Sequence, residues 1–252
     1  MAARILNLSA YAFVPLERLA ARRDAIEASA RACGIKGTVL LAEEGINLFV
    51  AGPAAGVRDW LAQLRADPAL AVLDAKESWS DACPFRHLRV KIKREIIRMN
   101  QPQVQPAEGR APTIDAATLK RWLDAGHDDA GRAVVLLDTR NGFEVDAGAF
   151  AGAVDWRLDK FSDFPAALQA HRHELAGRSV VTYCTGGIRC EKAALALRAA
   201  GLEQVWQLDG GVLRYFESLP GAPHWRGHCF VFDDRLSLAP DLRPAPLQES
   251  AA

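Results

Sequence analysis

The segment that most constrains the fold is residues 180–192, where an apolar strand runs through a short glycine-containing loop into a helix. The sequence predicts a strand over Ser179–Tyr183, in which Val180–Tyr183 is a β-branched and aromatic run, and a helix over Cys190–Ala200, where apolar residues recur at helical spacing. A strand joined to a helix in this way is typical of parallel α/β sheets, whose active sites lie beyond the carboxyl ends of the strands. The pattern therefore predicts a parallel sheet with its functional loop at Cys184–Arg189.

The composition of this loop suits it to holding an anion. The residues whose backbone N–H groups can converge on one point are Thr185, Gly186, Gly187, Ile188 and Arg189. Such a concavity at the start of a helix stabilises a thiolate, so we expect the pKa of Cys184 to be lowered. Arg189 adds a fixed positive charge. A buried structural cysteine in a glycine turn is the alternative interpretation.

Strands and helices alternate through the rest of the second half. Asp115 is suited to cap the helix that carries Leu119 and Trp122, and Ala133–Leu137 is the continuous apolar run of a strand buried on both faces. Further segments are a helix near 165–175, a strand near 204–208 and a helix after Gly210-Gly211. Together they predict a parallel sheet with helices on both sides.

The first half follows a different order. The predicted elements are a strand over 4–14, a helix from Pro15 to Gly34, a hairpin of 38–41 and 46–50, a helix over 57–64, and strands around 70–79 and 85–97. The first six of these elements have the order β-α-β-β-α-β, which is that of a ferredoxin-like (acylphosphatase-like) α+β domain, and one further strand follows them. In that arrangement two helices cover one face of an antiparallel sheet, and the other face is expected to be free.

The last of these strands is strongly basic. Apolar residues alternate with Arg89, Lys91 and Lys93, so the two kinds of side chain lie on opposite faces, and Arg94 follows. Residues 86–98 include six basic residues and one acidic residue, a net charge of +5, although the whole chain has 31 of each and is neutral. The strip predicts either a solvated outer face or a surface that binds RNA phosphates.

A length of 252 residues predicts about two domains, and a proline-containing stretch at 100–113 without periodicity is expected to link them. The expected organisation is an α+β domain over 1–99, which would bind RNA if its basic strip contacts phosphates, then the linker, an α/β domain over 114–222 with the cysteine loop as its candidate catalytic site, and a C-terminal tail over 223–252. No membrane span or signal peptide is evident. The cysteines are odd in number and scattered, which fits reactive or buried thiols in a reducing cytoplasm.

Neither a metal site nor a flavin site has a signature in the sequence. The histidine pairs His171/His173 and His224/His228 are the candidate ligands, and a solvated helix face is the simpler interpretation of the first. We therefore expect no metal and assign no cofactor. The aromatic residues Trp225 and Phe230 are expected to pack the tail onto a domain rather than to stack a flipped base.

The strand, cysteine loop and helix resemble the active-site segment of rhodanese domains. Leu137–Arg140 and Glu144 are similar to the early rhodanese segment that places an aspartate and an arginine, here Asp138 and Arg140, beside the loop. The six residues Cys184–Arg189 have the rhodanese loop length, whereas related phosphatases have one residue more. The resemblance implies a rhodanese-like fold for 114–222.

A closer resemblance covers almost the whole chain. The string Cys-Thr-Gly-Gly-Ile-Arg-Cys-Glu-Lys at 184–192 is similar to the bacterial tRNA uridine hydroxylase family called TrhO, also known as YceA. Four further segments resemble that family in the same order: 42–47, 91–96, 208–211 and 225–233. The resemblance implies oxygen-dependent conversion of the wobble uridine, position 34 of tRNA, to 5-hydroxyuridine.

The resemblance also implies roles for the loop. Cys184 would be the reactive thiol, as such or as a persulfide, and Arg189 would stabilise its anion. Cys190 would either resolve an oxidised Cys184 or simply face the loop. Dioxygen is the implied co-substrate and tRNA the implied partner, with no obligate protein partner. The alternatives are a sulfurtransferase that carries a persulfide on Cys184, and a non-catalytic rhodanese-like binding module.

Overall fold

The computed structural model describes residues 4–245. The chain divides into two compact units, Met1–Arg98 and Met99–Ala252. The last seven residues of the predicted tail, 246–252, lie outside the described residues. Within residues 4–245, no helix is both long enough and apolar enough to cross a membrane.

The first unit is an α+β domain built on one five-stranded sheet. Its elements are β1 (Ile5–Phe13), α1 (Leu19–Ala32), β2 (Lys36–Ala42), β3 (Gly45–Pro53), α2 (Ala54–Arg65), β4 (Asp74–Ser80) and β5 (Leu88–Ile92). The sheet order is β4-β1-β3-β2-β5, and every pair is antiparallel except β2 with β5. The predicted order β-α-β-β-α-β is confirmed, with β5 as an additional edge strand beside β2.

Two predicted strands of the first unit are too long. The stretch around 70–79 begins as a 3-10 turn at Pro68–Leu70, because the Asp67 carboxylate caps that turn by accepting from Ala69 N. Strand β4 therefore starts only at Asp74. The stretch 85–97 forms a strand only over Leu88–Ile92, so two of the four predicted RNA contacts lie beyond the end of β5.

One face of this sheet packs against α1 and α2. Leu6, Leu8 and Ala10 of β1 alternate into a core that also includes Ile26 of α1 and Trp60 of α2. Trp60 is fully buried, and its indole Nε1 donates to Ser29 Oγ at 3.1 Å, so its polar atom is satisfied.

The prediction that the other face is free is wrong. Asn47 lies on that face, because its neighbours Ile46 and Leu48 point into the core. Its Nδ2 donates to Ile96 O at 3.2 Å, and Ile96 N donates to Glu44 Oε1 at 2.7 Å. Ile96 is only 1% exposed, so the chain that follows β5 covers part of this face.

The second unit is an α/β domain around a parallel sheet. Its elements are β6 (Thr113–Ile114), α3 (Ala116–Ala125), β7 (Val134–Asp138), α4 (Gly142–Ala147), β8 (Gly148–Phe150), β9 (Val154–Asp155), α5 (Phe164–His171), β10 (Ser179–Tyr183), α6 (Ile188–Ala199), β11 (Val205–Leu208), α7 (Gly211–Ser218), β12 (Trp225–Gly227), β13 (Cys229–Phe230) and β14 (Ser237–Leu238). The main sheet has the order β6-β11-β10-β7-β9, and all its pairs are parallel, as predicted.

Local signals located the main elements of this unit well. Asp115 caps α3 by accepting from Thr118 N at 2.7 Å, as predicted. Strand β10 has the predicted limits and is fully buried at the centre of the sheet. The sequence did not reveal α4 or the short strands β8, β9, β12, β13 and β14, because each is too short to show a hydrophobic period.

Residues 100–112 form turns rather than helix or strand. Val104 and Ala111 are buried, and Gln207 of β11 donates through its backbone N to Pro112 O at 3.0 Å and through Nε2 to Ala111 O at 3.2 Å. These contacts hold the end of this stretch on the second unit.

The tail packs onto the second unit through its aromatic residues. Trp225 contacts Phe150 and Phe216 with ring centroids 5.1 and 5.4 Å apart. Strand β12 pairs with β8, and β13 pairs with β14. The prediction that Trp225 and Phe230 pack the tail onto a domain is confirmed for Trp225, and Phe230 contacts Phe143 of α4 with ring centroids 5.1 Å apart.

Candidate functional site

The cysteine loop begins where the central strand β10 ends. Cys184 is fully buried, and its Sγ accepts a hydrogen bond from Gly187 N at 3.1 Å. Gly187 has φ +99, a left-handed conformation that favours glycine, and it forms the N-cap of α6. The loop therefore curls back so that its own backbone amide points at the thiol sulfur, as the sequence predicts.

Gly211, at the start of α7, supports the loop from outside. A Cβ at this position would lie 2.3 Å from Cys184 O, and φ is +65. The absence of a side chain lets Val212 N donate to Cys184 O and Leu213 N donate to Thr185 O, each at 3.0 Å. These bonds satisfy two loop carbonyls and fix the position of the cysteine backbone.

The environment of Cys184 favours its thiolate. Burial alone would raise the pKa of this thiol. A hydrogen bond from the Cys190 thiol, the charge of Arg189 and the backbone N–H groups of Arg189 and Cys190 outweigh burial and lower the pKa of Cys184 to about 5. The predicted lowering is present, and the loop can hold a reactive sulfur anion near neutral pH.

Cys190 lies in the first turn of α6, and its environment favours the protonated thiol instead. Burial and the nearby Cys184 thiolate raise the pKa of Cys190 well above that of an ordinary thiol. The Thr139 hydroxyl lies 3.8 Å from Cys190 Sγ and 2.9 Å from Tyr183 O. The Cys184 thiolate therefore accepts a hydrogen bond from the protonated Cys190 thiol.

Arg189 is held by Glu144 of α4. Arg189 Nη1 lies 2.5 Å from Glu144 Oε2, Nη2 lies 2.8 Å from Oε1, and both side chains are buried. Burial opposes the ionisation of Glu144, but the charge and hydrogen bonds of Arg189 lower its pKa. Glu144 Oε1 also accepts from Thr185 Oγ1 at 3.3 Å, so one carboxylate links the arginine to the loop.

Asp138 and Arg140 form a second buried ion pair beside the first. Arg140 Nε and Nη2 donate to the two oxygens of Asp138 at 2.9 and 2.6 Å. Its guanidinium also donates to Glu144 O at 3.2 Å and to Gly148 O at 2.7 Å. Arg140 therefore ties β7 to α4 and supports the Glu144 backbone.

A third cysteine, Cys229 of β13, reaches the same site from the tail. Burial raises the pKa of Cys229 to about 12, and its thiol takes part in a hydrogen bond with the Thr185 side chain. Sequence reasoning missed both Cys229 and Thr139 as neighbours of the loop. The tail segment that resembles the hydroxylase family contains Cys229, which was the only available signal for it.

The four basic residues predicted to bind RNA are exposed. Arg89 and Lys91 lie on β5, and Lys93 and Arg94 follow its end. None of the four forms an ion pair within residues 4–245. Exposed cations without neutralising carboxylates can contact phosphates.

One histidine of each candidate pair contacts a carboxylate. His171 Nδ1 lies 2.8 Å from Glu174 Oε1, and His224 Nε2 lies 2.8 Å from Asp124 Oδ1. In the part of the chain from 4 to 245, no three His, Cys, Asp or Glu side chains are grouped as a metal site would require.

Comparison with known proteins places both units in described families. Residues 5–96 match the UPF0176 acylphosphatase like domain, and residues 115–218 match the rhodanese-like domain. A relative from Delftia acidovorans is 60% identical over 96% of this chain and 92% of its own length. Relatives from Variovorax paradoxus and Bordetella petrii are 58% and 59% identical over 98% and 96% of this chain, and 94% and 95% of theirs. All three are named tRNA uridine(34) hydroxylase, and the chain belongs to that family.

Proposed function

We propose that the chain is a tRNA-modifying enzyme that hydroxylates the wobble uridine, position 34, to 5-hydroxyuridine, with dioxygen as co-substrate. One oxygen atom of dioxygen replaces the hydrogen at C5 of the base as a hydroxyl group, and the other is reduced to water by two electrons and two protons from an external reductant. The observation that carries this proposal is the 60% identity, over nearly the full length of both chains, to a protein named tRNA uridine(34) hydroxylase. The intact cysteine loop and its buried ion pairs supply a reactive centre consistent with an enzyme.

Cys184 is the reactive sulfur of this proposal. Gly187 N and the Cys190 thiol hold its anion by hydrogen bonds, and Arg189, fixed by Glu144, stabilises that anion by its charge. The remaining loop residues, Thr185, Gly186 and Ile188, keep the backbone curled around the sulfur. Arg140 acts as a positioning residue, because its guanidinium donates to Glu144 O and not to the thiol, and Asp138 acts through its ion pair with Arg140.

The first unit is proposed to hold the tRNA. Arg89, Lys91, Lys93 and Arg94 would contact phosphates, and the second unit, over 114–222, would carry out the chemistry. Residues 100–113 would join the two, and the tail from 223 would complete the loop environment through Cys229. Since the substrate is tRNA, the reaction is placed in the cytoplasm.

A sulfurtransferase that carries a persulfide on Cys184 is the alternative, because the same loop would serve it. The names of the full-length relatives favour hydroxylation. The two activities differ in their product: one adds an oxygen to uridine 34, and the other adds no oxygen to any nucleoside.

Nucleoside mass spectrometry of tRNA from a strain that lacks its own wobble-uridine hydroxylases tests the proposal. Expression of this chain should restore 5-hydroxyuridine derivatives. The Cys184→Ala variant should fail to do so, whereas Cys33→Ala, at a half-buried thiol of the first unit, should restore them fully. Failure of the wild-type chain to restore the modification would refute hydroxylation. Full restoration by Cys184→Ala would show that the chain supports hydroxylation but that the reaction does not need the Cys184 thiol.

A further inference from the structure

Three phenylalanine rings form an exposed cluster on the second unit. Phe143 of α4, Phe230 of β13 and Phe232 contact one another edge to face, with ring centroids 5.1, 5.2 and 6.3 Å apart. Phe143 is 49% exposed and Phe232 is 51% exposed. Rings of this size are normally buried, and an exposed group of them marks a binding surface.

This cluster adjoins the cysteine loop along two segments. Phe143 immediately precedes Glu144, whose carboxylate bonds to Arg189 and Thr185. Phe230 immediately follows Cys229, whose thiol pairs with the Thr185 side chain. Consecutive Cα atoms are about 3.8 Å apart. Two of the rings are therefore one residue away from side chains that touch the loop.

The backbone beneath the cluster is fixed. His228 N donates to Ala147 O at 2.8 Å, and a Cβ at Gly148 would lie 2.4 Å from His228 O, so the segment that carries Phe230 lies directly against the end of α4. Val231 N donates to Leu236 O at 2.9 Å and closes the turn that carries Phe232. A surface ordered in advance loses little entropy when a ligand binds.

The two arginines near the cluster in the chain differ in whether their charge is neutralised. The guanidinium of Arg157 lies 3.1 Å from the position a Cβ would take at Gly142, next to Phe143, but it forms ion pairs with Asp146 and Asp155, so it offers no free positive charge. Arg226, three residues before Cys229, is exposed and has no ion-pair partner within residues 4–245. Arg226 is therefore the nearby charge in the chain that can contact the phosphate of a nucleotide whose base stacks on the rings.

Resting on the function proposed above, we propose that Phe143, Phe230 and Phe232 form a stacking platform for the unpaired bases that flank uridine 34. Single-stranded RNA is recognised mainly by stacking of splayed bases on aromatic side chains. A uridine presented to the cysteine loop brings its neighbours in the anticodon loop to the same side of the unit, where the platform lies. The platform holds these neighbours while the target base is engaged.

The test measures the affinity of the full-length protein for an anticodon stem-loop RNA with uridine 34, either intact or with abasic nucleotides on both sides of that uridine. Wild-type protein should bind the abasic RNA about 5- to 100-fold more weakly. The double variant Phe143→Ala/Phe232→Ala should bind intact RNA with a similar loss and should lose little more on abasic RNA. Such non-additivity is the sign of a direct contact.

Conservative and distant variants complete the design. Phe143→Tyr/Phe232→Tyr keeps both rings and should bind as wild type does, and Val72→Ala, at an exposed apolar residue of the first unit, should have no effect. Equal binding of both RNAs by wild-type protein would overturn the proposal without needing any variant. Changed self-association of the alanine variant with unchanged RNA affinity would also overturn it, and would identify the cluster as a protein interface. Hydroxylation by the wild-type chain is scored separately in cells, so failure of the platform is distinguishable from failure of the function.

Discussion

Glu144 and Arg189 form a buried, two-point ion pair, with N–O distances of 2.5 and 2.8 Å, at the end of the cysteine loop. The pair fixes the only arginine of the loop, and the same carboxylate accepts from Thr185. The positive charge that favours the Cys184 thiolate is therefore held in place by a residue 45 positions before Arg189 in the chain.

Glu144→Gln should destabilise the protein and, at the same time, make the Cys184 thiol more acidic. Loss of the carboxylate leaves Arg189 as an uncompensated buried charge, which should lower the free energy of unfolding by about 3–5 kcal/mol. The pKa of Cys184 should fall further, because the arginine charge is no longer neutralised. Urea denaturation and pH-dependent alkylation measure the two effects. Arg121→Ala, which removes an exposed ion pair with Asp129, should leave the free energy of unfolding nearly unchanged. A rise in the pKa of Cys184 would contradict this electrostatic account.

The pKa of Cys184, lowered to about 5, makes stability depend on pH. Since the thiol ionises more readily in the folded state, its stabilising contribution is complete above the ordinary thiol pKa near 9 and is lost as the pH falls towards 5. Cys190 and Cys229 have raised pKa values, so they affect stability only at higher pH. The unfolding free energy of wild type minus that of Cys184→Ser should therefore grow between pH 5 and pH 9. A flat difference across this window would mean that the folded thiol is not ionised.

Gly211→Ala should disable the loop. The new Cβ would meet Cys184 O at 2.3 Å, in addition to the strain of a side chain at φ +65. Gly177→Ala is a matched control, because Gly177 has φ +72 but no atom within 4 Å of its Cβ position. Both variants should lose about 1–2 kcal/mol of stability to backbone strain. Only Gly211→Ala should also slow alkylation of Cys184 at neutral pH. Equal reactivity in both variants would contradict the supporting role of Gly211.

The basic residues of the first unit should govern the salt dependence of tRNA binding. Removing one lysine that binds a phosphate should reduce the slope of log affinity against log salt by about 0.7–0.9. Lys91→Ala and Lys93→Ala should each show this reduction, whereas Lys120→Ala, at a lysine paired with Asp124 in the second unit, should not. An unchanged slope in both Lys91 and Lys93 variants would show that this strip is only a solvated surface.

Contacts between residues that are close together in the sequence could be predicted, whereas contacts between distant residues could not. The loop residues from Cys184 to Cys190 are contiguous, so their convergence on one sulfur could be predicted from the strand, the glycines and the helix that follow one another. The contacts of Thr139 and Cys229 with this loop could not, because they depend on how β7 and the tail pack. The hydrogen bond between Asn47 and Ile96, which are 49 residues apart, could not be predicted either. It holds the chain that follows β5 on a sheet face that the alternation of apolar and polar residues predicts to be free.

The central claim, that this chain inserts oxygen from dioxygen into uridine 34, is tested most directly by isotope labelling in cells. A strain without its own wobble-uridine hydroxylases expresses the chain under isotopically labelled dioxygen, and tRNA is isolated and digested for mass spectrometry. We expect one labelled oxygen atom in the base at position 34, and none when Cys184→Ala is expressed instead. A hydroxyl that carries unlabelled oxygen, or no hydroxylated uridine at all, would contradict the claim.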